Sequence, residues 1–354
     1  MLTLLLSPAL SLCTLFPYTL APVPPFPAAS AGEKKDELGP PGLVALKGGT
    51  TFIGSSKKDI DKLLKEMPGI AWRKLRSLDA TTPQNRVTVA PFHMGLTEVT
   101  NEQYAVFVMA TGHRPPEDWG DEPIATAQAL FLSEQGELRA EAKEKGLPIP
   151  ERREFRRDEW WLANWKQSTW AIPEQADLKP VTYVNYADVQ AYCRWAGVRL
   201  PTEFEYQRAC RGTSKNPFPW GDEWEDAKYC ATSEIKRVNA TFLVGSFEAG
   251  VSPDGLFDLA GNVWEWTSSP YGPYAKFKRN KYKLDRKTES LPQPTWDGNQ
   301  RVAVGGSWQN PGLAARCTTR RPTDRTQMTD AFGFRLAASL AVGVDKAQAI
   351  FNTQ

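Results

Sequence analysis

The chain has 354 residues, 41% of them hydrophobic and 24% charged, the balance of a soluble globular protein and not of a disordered or fibrous one. That length suits one large domain or two of ordinary size. A formal net charge of +2 gives no electrostatic reason to expect nucleic acid as a partner.

The first 31 residues carry no charged side chain. Leu2 to Leu6 and Leu10 to Leu20 form an apolar stretch, and Ala29-Ser30-Ala31 fits a small-residue cleavage site. Residues 1–31 therefore read as a secretory signal peptide, although its usual basic start is missing. Leu10-Ser-Leu-Cys13 is a weak lipoprotein box, because Leu12 is bulkier than that position favours; a lipid anchor at Cys13 stays open as an alternative. Pro22, Pro24, Pro25 and Pro27 argue against a transmembrane helix, and nothing downstream is apolar for long enough to span a bilayer. The mature protein is expected to start near Gly32 and to be extracytoplasmic, either secreted or periplasmic.

Residues 32–42 form a polar linker. Leu43 to Gly54 reads as a hairpin turning at Gly48-Gly49, and 56–79 as a charged, partly helical excursion. Strand returns from Asn85 to Met94. A helix opens at Thr100, where Gln103 completes a capping box; Tyr104, Phe107 and Val108 share one face and Gly112 stops it. A second helix runs from about Ala187 to Ala196 with Val189, Tyr192, Cys193 and Ala196 on one stripe. A third begins at Thr202, is capped by Glu205, turns Tyr206, Ala209 and Cys210 inward and ends at Gly212. Between the first two helices, 117–160 is a charged surface insertion with a helical pattern from Thr126 to Lys145. After Thr267, residues 271–300 are basic and Pro-rich and read as a long ordered loop, while 339–354 is a tail.

Several short motifs occur in a fixed order: Thr97-Glu-Val-Thr-Asn101, Pro180-Val-Thr-Tyr-Val-Asn185, Ala191-Tyr-Cys-Arg-Trp-Ala-Gly197, Arg199-Leu-Pro-Thr-Glu-Phe-Glu-Tyr206, Phe218-Pro-Trp-Gly-Asp222, Gly261-Asn-Val-Trp-Glu-Trp266, Gly305-Gly-Ser-Trp308 and Gly333-Phe-Arg335. The series resembles the formylglycine-generating enzymes, or sulfatase-modifying factors, from about Leu43 to Ala337. That resemblance implies one α+β domain over 43–338, distantly C-type-lectin-like and poor in regular secondary structure.

Calcium takes six to eight oxygens, and a loop that bends back on itself can supply carboxylates and carbonyls together. Asp258 and Glu265 flank a turn containing Gly261, so they could face one ion; capping and turn bonding is the alternative. The resemblance implies the same set: side chains of Asp258 and Glu265 with carbonyls of Gly261 and Val263, holding a structural Ca²⁺.

Beyond residue 31 the cysteines are Cys193, Cys210, Cys230 and Cys317. Formylglycine-generating enzymes use two cysteines after the Gly-Gly-Ser motif to bind copper and activate oxygen, and soft thiolates suit Cu(I). Here Asn310 stands at the first of those positions, the loop is shorter, and the second falls among Gly312 to Ala315. No copper is expected. Arg316-Cys317 followed by Arg320 matches a family stretch whose cysteine is structural, which implies a Cys210–Cys317 disulfide suited to an oxidising compartment and worth ~2–5 kcal/mol. The family partner of Cys193 is replaced by Leu336, which leaves Cys193 as a buried free thiol. Cys230 has no evident partner, and a Cys193–Cys230 bridge stays open.

His93 and His113 lack metal-ligand spacing and read as partly exposed side chains. Ser307 has no base in view and reads as a turn residue. Arg316, Arg320, Arg321 and Arg325 form a basic cluster that either holds an anion or ties the loops through ion pairs. Among Trp220, Trp264, Trp266 and Trp308, most read as core, with Trp308 free to stack on a ligand.

The reading that follows is an exported, non-catalytic member of this fold, a binding or assembly module. Its former substrate groove (Ser307, Trp308, Asn310 and Arg320) would take a protein or glycan ligand. The alternative is an oxidoreductase, either a divergent formylglycine generator acting on sulfatases or another metal-dependent oxidase. The insertion 117–160 and the Lys/Arg-rich stretch 276–287 are surfaces on which a partner could dock.

Overall fold

A computed structural model describes residues 42–340 except 67–77, 79, 120–121, 154–171, 174, 226, 236–239, 279–280, 285–286, 291–295 and 297. The expected signal peptide, nearly all of the linker, and the tail beyond residue 340 lie outside the described residues. Among the described residues no helix is long and apolar enough to cross a membrane.

The chain starts as β1 (Leu43–Leu46) and β2 (Gly49–Ile53), passes through α1 (Lys57–Glu66), and returns as β3 (Asn85–Val89) and β4 (Phe92–Gly95). The hairpin expected over 43–54 does not form. Instead β1 pairs antiparallel with β4 and β2 with β3, in one register that runs from Leu43↔Gly95 through Gly49↔Val89 to Ile53↔Asn85. The reason lies at Gly48, where a Cβ would sit 2.4 Å from both Pro91 N and Val89 O. The two strands cross so closely there that only glycine fits, and Pro91 has no N–H to continue the ladder. The ribbon is cut at its middle and its halves join different sheets.

The three helices expected from capping motifs are present. In α2 (Asn101–Thr111) Thr100 and Gln103 cap each other reciprocally, and Gly112 closes the end at φ 69°. In α4 (Tyr186–Ala196) Asn185 and Asp188 form the box, and in α5 (Glu203–Arg211) Thr202 and Glu205 do. The apolar stripes of α2 and α4 meet: Tyr104 stacks on Tyr192 at 5.6 Å between ring centroids, with Phe107 edge-on to Tyr192 at 5.4 Å. Between α2 and α4, α3 (Glu122–Glu144) covers the predicted helical part of the 117–160 stretch, and Leu130, Leu132 and Leu138 on it are exposed.

The second half builds a four-stranded sheet in the order β10 (Phe332–Gly333), β5 (Trp264–Pro270), β8 (Arg301–Val304), β9 (Arg320–Thr323), with β10 parallel to β5 and the other pairs antiparallel. The basic stretch expected to be a loop contains a hairpin, β6 (Lys281–Leu284) against β7 (Lys287–Ser290). The last strand, β11 (Ala337–Ser339), adds to β4, so Ser339 belongs to a sheet and not to the tail.

The architecture is α+β. One core lies around α2, α4, Trp264, Trp266 and Phe334; a second lies under α5, where Tyr206, Leu256, Leu259 and Val304 are fully buried. Cys210 on α5 is joined to Cys317, with Cα atoms 5.6 Å apart at a sequence separation of 107. Cys193 and Cys230 are free and buried in different clusters, so the bridge left open between them is absent. Closing so long a loop restricts the unfolded chain, and the double substitution Cys210→Ala with Cys317→Ala is expected to lower the unfolding free energy by ~2–5 kcal/mol. Urea denaturation of oxidised wild type against the variant measures it.

Candidate functional site

The site grows from the turn that leads into β5. Asp258, Gly261 and Asn262 have φ of 55°, 79° and 57°, so three left-handed residues coil the chain within five positions. Glycine is required at 261, where a Cβ would lie 2.3 Å from Ala231 O. Asn262 ties the coil down: its amide oxygen accepts from Phe242 N at 3.0 Å and its Nδ2 donates to Glu98 Oε1 at 3.2 Å.

β5 then delivers Glu265 into the interior, where it meets Arg335. Arg335 Nε donates to Oε2 at 2.6 Å and Nη2 to Oε1 at 2.8 Å, and Tyr206 Oη donates to Oε1 at 3.0 Å. Both side chains are 0% exposed. The guanidinium also donates to Gly95 O and Phe257 O, so one residue links the end of β4, the 255–263 turn and β5. This forked pair is the strongest class of polar contact in a protein interior.

Glu98, from the Thr97-Glu-Val motif, is a buried member of this cluster that the sequence reading missed. It is 1% exposed, lies beside Asp258 and leaves Oε2 without a partner. Burial, with the Asp258 carboxylate next, pushes the Glu98 carboxyl well above its ordinary value. Burial raises Asp258 too, against the donation of Gly245 N to its Oδ2. Three buried carboxylates thus share one guanidinium, and the excess negative charge calls for protons or a hard cation. Glu265 Oε2 keeps an acceptor position, since a carboxylate offers about four. Among the described residues no three His, Cys, Asp or Glu side chains converge as a ready metal cage, so a cation here would draw on backbone carbonyls. In charge and donor type the residues fit Ca²⁺.

The turn after Gly305-Gly306 carries the other expected positions. Ser307 points inward, 1% exposed, and donates to Asn310 Oδ1 at 2.8 Å; Trp264 Nε1 donates to the same oxygen at 2.7 Å. The Asn310 amide therefore pins Trp264 and Ser307 together. Residues 312–315 form a 3₁₀ turn, and Gly312 is needed because a Cβ would strike the Trp224 ring at 2.1 Å. Asn310 and this turn offer no soft ligand, so the residues do not fit copper. Cys230 packs against Ala315, but burial drives its thiol far above the ordinary range, as it pushes Cys193 up to about 12; neither is a ready thiolate.

The four groove residues are only partly brought together. Asn310 and Arg320 line one cavity; Ser307 and Trp308 do not. Arg320 lines the cavity and is also tied inside: it is 2% exposed and bound to Glu203 at 2.8 Å, to Ala80 O and to Gly272 O, with its guanidinium 4.2 Å from the Tyr274 ring centroid. It is an internal tie, which is how a long cation becomes affordable inside. Trp308 is half-buried, with its indole donating to Asp330 O, while Trp264 and Trp266 are core. Trp220 is half-buried, stacked on Tyr229 and Phe218. Both histidines are placed apart. His93 on β4 is buried, contrary to expectation, with burial lowering its pKa; His113 contacts Asp188 at 2.9 Å.

A family profile described as "Sulfatase-modifying factor enzyme 1-like domain" matches residues 28–340. The chain belongs to that family. Within it, the formylglycine-generating enzyme of Streptomyces coelicolor is 32% identical over 251 residues, covering 65% of this chain and 71% of the relative. The inactive C-alpha-formylglycine-generating enzyme 2 of Mus musculus is 28% identical over 321 residues, covering 84% and 86%. Hercynine oxygenase of Mycolicibacterium smegmatis is 31% identical over 237 residues; the match spans 66% of this chain and only 49% of that enzyme, about half its length. The family thus contains active enzymes and inactive relatives alike. Among solved structures, PvdO from Pseudomonas aeruginosa aligns with a TM-score of 0.52 at 21% identity, covering 84% of this chain and 94% of that one. Treponema denticola variable protein 1 aligns at 0.50 and 16%, also covering 84% and 94%. These two establish the fold alone: the formylglycine-generating-enzyme type.

Removing one partner of a buried ion pair strands the other charge. Arg335→Met is expected to cost about 3–5 kcal/mol, against near-neutrality for an exposed control such as Arg325→Met. Paired denaturation curves decide it.

Proposed function

We propose that this sulfatase-modifying-factor relative is a non-catalytic binding or assembly module, exported from the cytoplasm, which takes a ligand in the groove beside Asn310. The observation that carries the reading is the Asn310 amide. The resemblance sets it at the first of the family's two cysteine positions, and its oxygen accepts from Trp264 and Ser307. The free thiols of Cys193 and Cys230 are buried and protonated, so neither substitutes. The Cys210–Cys317 bridge supports an oxidising compartment, and the charge-free first 31 residues support a secretory signal. A protein or glycan is the ligand class in view.

Incubation of a Cys-x-Pro-x-Arg peptide with the protein, oxygen and copper, read by mass spectrometry beside an active family member, tests this. The peptide is expected to return unchanged. Conversion of its cysteine to formylglycine would overturn the reading in favour of an oxidoreductase.

In the same reading a structural Ca²⁺ is held by the side chains of Asp258 and Glu265 and the carbonyls of Gly261 and Val263, closing the coil from which β5 departs. Its contribution is to neutralise the surplus carboxylate charge. Added Ca²⁺ is expected to raise the thermal midpoint and a chelator to lower it. The shift shrinks in Asp258→Asn, which keeps the left-handed backbone but removes the charge. Differential scanning calorimetry with and without the ion measures both.

A further inference from the structure

We propose that a strip formed by Arg301, Arg321 and Arg325, on one face of the four-stranded sheet, binds a linear sulfated glycan. The strip follows from the strand register. Residues two apart on a strand share a face, so Arg301 and Ala303 of β8 stand on the same side as the two residues paired with Ala303, Arg321 of β9 and Trp266 of β5. Trp264 shares that face with Trp266 and is paired with Phe332 of β10. Tyr186, the first residue of α4, packs edge-on to Trp266 at 5.6 Å between ring centroids. These rings hold the three guanidinium groups. Arg301 lies 5.2 Å and Arg325 6.0 Å from the Tyr186 centroid, while Arg321 lies 4.8 Å from that of Phe332 and 5.5 Å from that of Trp264.

Stacking uses the flat face of a guanidinium and leaves its N–H edge free to donate. Among the described residues none of the three side chains makes a hydrogen bond or an ion pair. Arg325 is exposed, and Arg301 and Arg321 are half-buried. Of the half-buried pair only Arg301 Nε is shut off from solvent, so the other donors are within reach of a ligand. Burial lowers the Arg321 pKa, and no carboxylate offsets it. Asp324 is the acid next to Arg325, and its Oδ1 accepts from Thr326 N and Oγ1 instead. The rings thus fix three cations in place without neutralising them.

The form of the ligand follows. Guanidinium groups spread from Tyr186 to the Trp264–Phe332 pair cannot all meet one small anion, so they fit a chain that carries several. All three are arginine, whose planar fork grips an oxyanion through two parallel bonds and is less strongly hydrated than an ammonium. In the extracytoplasmic setting proposed above, sulfated glycans are the common linear polyanions, and a sulfate ester keeps its charge across the physiological pH range. Arg321 also lines the cavity beside Asn310, so the strip continues that groove. The inference rests on the reading of the chain as a binding module and names the chemistry of its ligand.

Isothermal titration of the folded protein at fixed ionic strength tests it, with a heparin-derived hexasaccharide, the same sugar after desulfation, and single-stranded DNA of equal charge as probes. The sulfated sugar is expected to bind saturably, and the other two at least about tenfold more weakly. Arg321→Met and Arg325→Met should each weaken the sulfated sugar about threefold or more, and together about tenfold or more. Lys143→Met, which removes an exposed cation from α3, should leave the affinity unchanged. Thermal midpoints of the variants show that each is folded. No saturable binding, full affinity in the double variant, an equal loss in Lys143→Met, or DNA bound as tightly as the sulfated sugar would overturn the glycan strip. Formylglycine formation in the peptide assay with glycan binding intact would overturn only the non-catalytic reading. An unreacted peptide without glycan binding would overturn only this one.

Discussion

The ion pair between Glu265 and Arg335 is the contact on which the middle of the molecule depends. It joins β5 to the segment before β11, and through Gly95 O and Phe257 O it fixes the end of β4 and the coil before β5. Tyr206 reaches the same carboxylate from α5, so three otherwise separate parts of the chain converge on two side chains with no exposure. A pair so placed gains little over a well-packed apolar substitute, because desolvating both charges consumes much of their attraction. What it imposes is geometry. A fork meeting a carboxylate edge-on tolerates one arrangement, and a loop-rich fold with short strands has few other means of choosing one.

That constraint propagates to the groove. With β5 fixed at Glu265, Trp264 is aimed at the turn after Gly306, and its indole finds the Asn310 amide. The disulfide holds the other flank, since Cys317 lies next to Arg316 and ties the start of the Arg316–Pro322 segment to α5. The cavity between these two anchored edges is therefore not the leftover space of a floppy loop. Its walls are set by covalent and ionic restraints on both sides, which is the preorganisation that makes a small pocket worth filling.

How much of this the sequence revealed depended on how local the determinant was. Capping boxes at Thr100 and Thr202 involve residues three apart, so the helices could be read directly. The motif series carried the fold, and the Arg-Cys-x-x-Arg stretch carried the bridge to Cys210. The interrupted ribbon could not be read, because Gly48 is explained only by the approach of Pro91 forty-three positions on in sequence, and two adjacent glycines otherwise look like a turn. The 281–290 hairpin was hidden among charges that mask strand alternation. Glu98 and Arg335 read in sequence as motif letters without roles, since the partnerships of 98 with 262 and of 335 with 265 are products of tertiary folding. Arg320 is legible from sequence as a groove residue, but its second tie, to Glu203, is a product of folding.

These relations also explain why the fold does not depend on the turn from Asn310 to Ala315. The restraints that build the domain (Glu265–Arg335, the bridge to Cys317, the coil at Asp258 to Asn262) make no use of residues 310 to 315. The neutral Asn310 amide satisfies Trp264 and Ser307 and offers no soft ligand. What stays charged is the next wall: Arg316 is held inside by its connection to Cys317, with donors unused and Arg211 beside it. A guanidinium can hold an acceptor in place but cannot carry an electron, so this wall offers hydrogen-bond donors and no redox group.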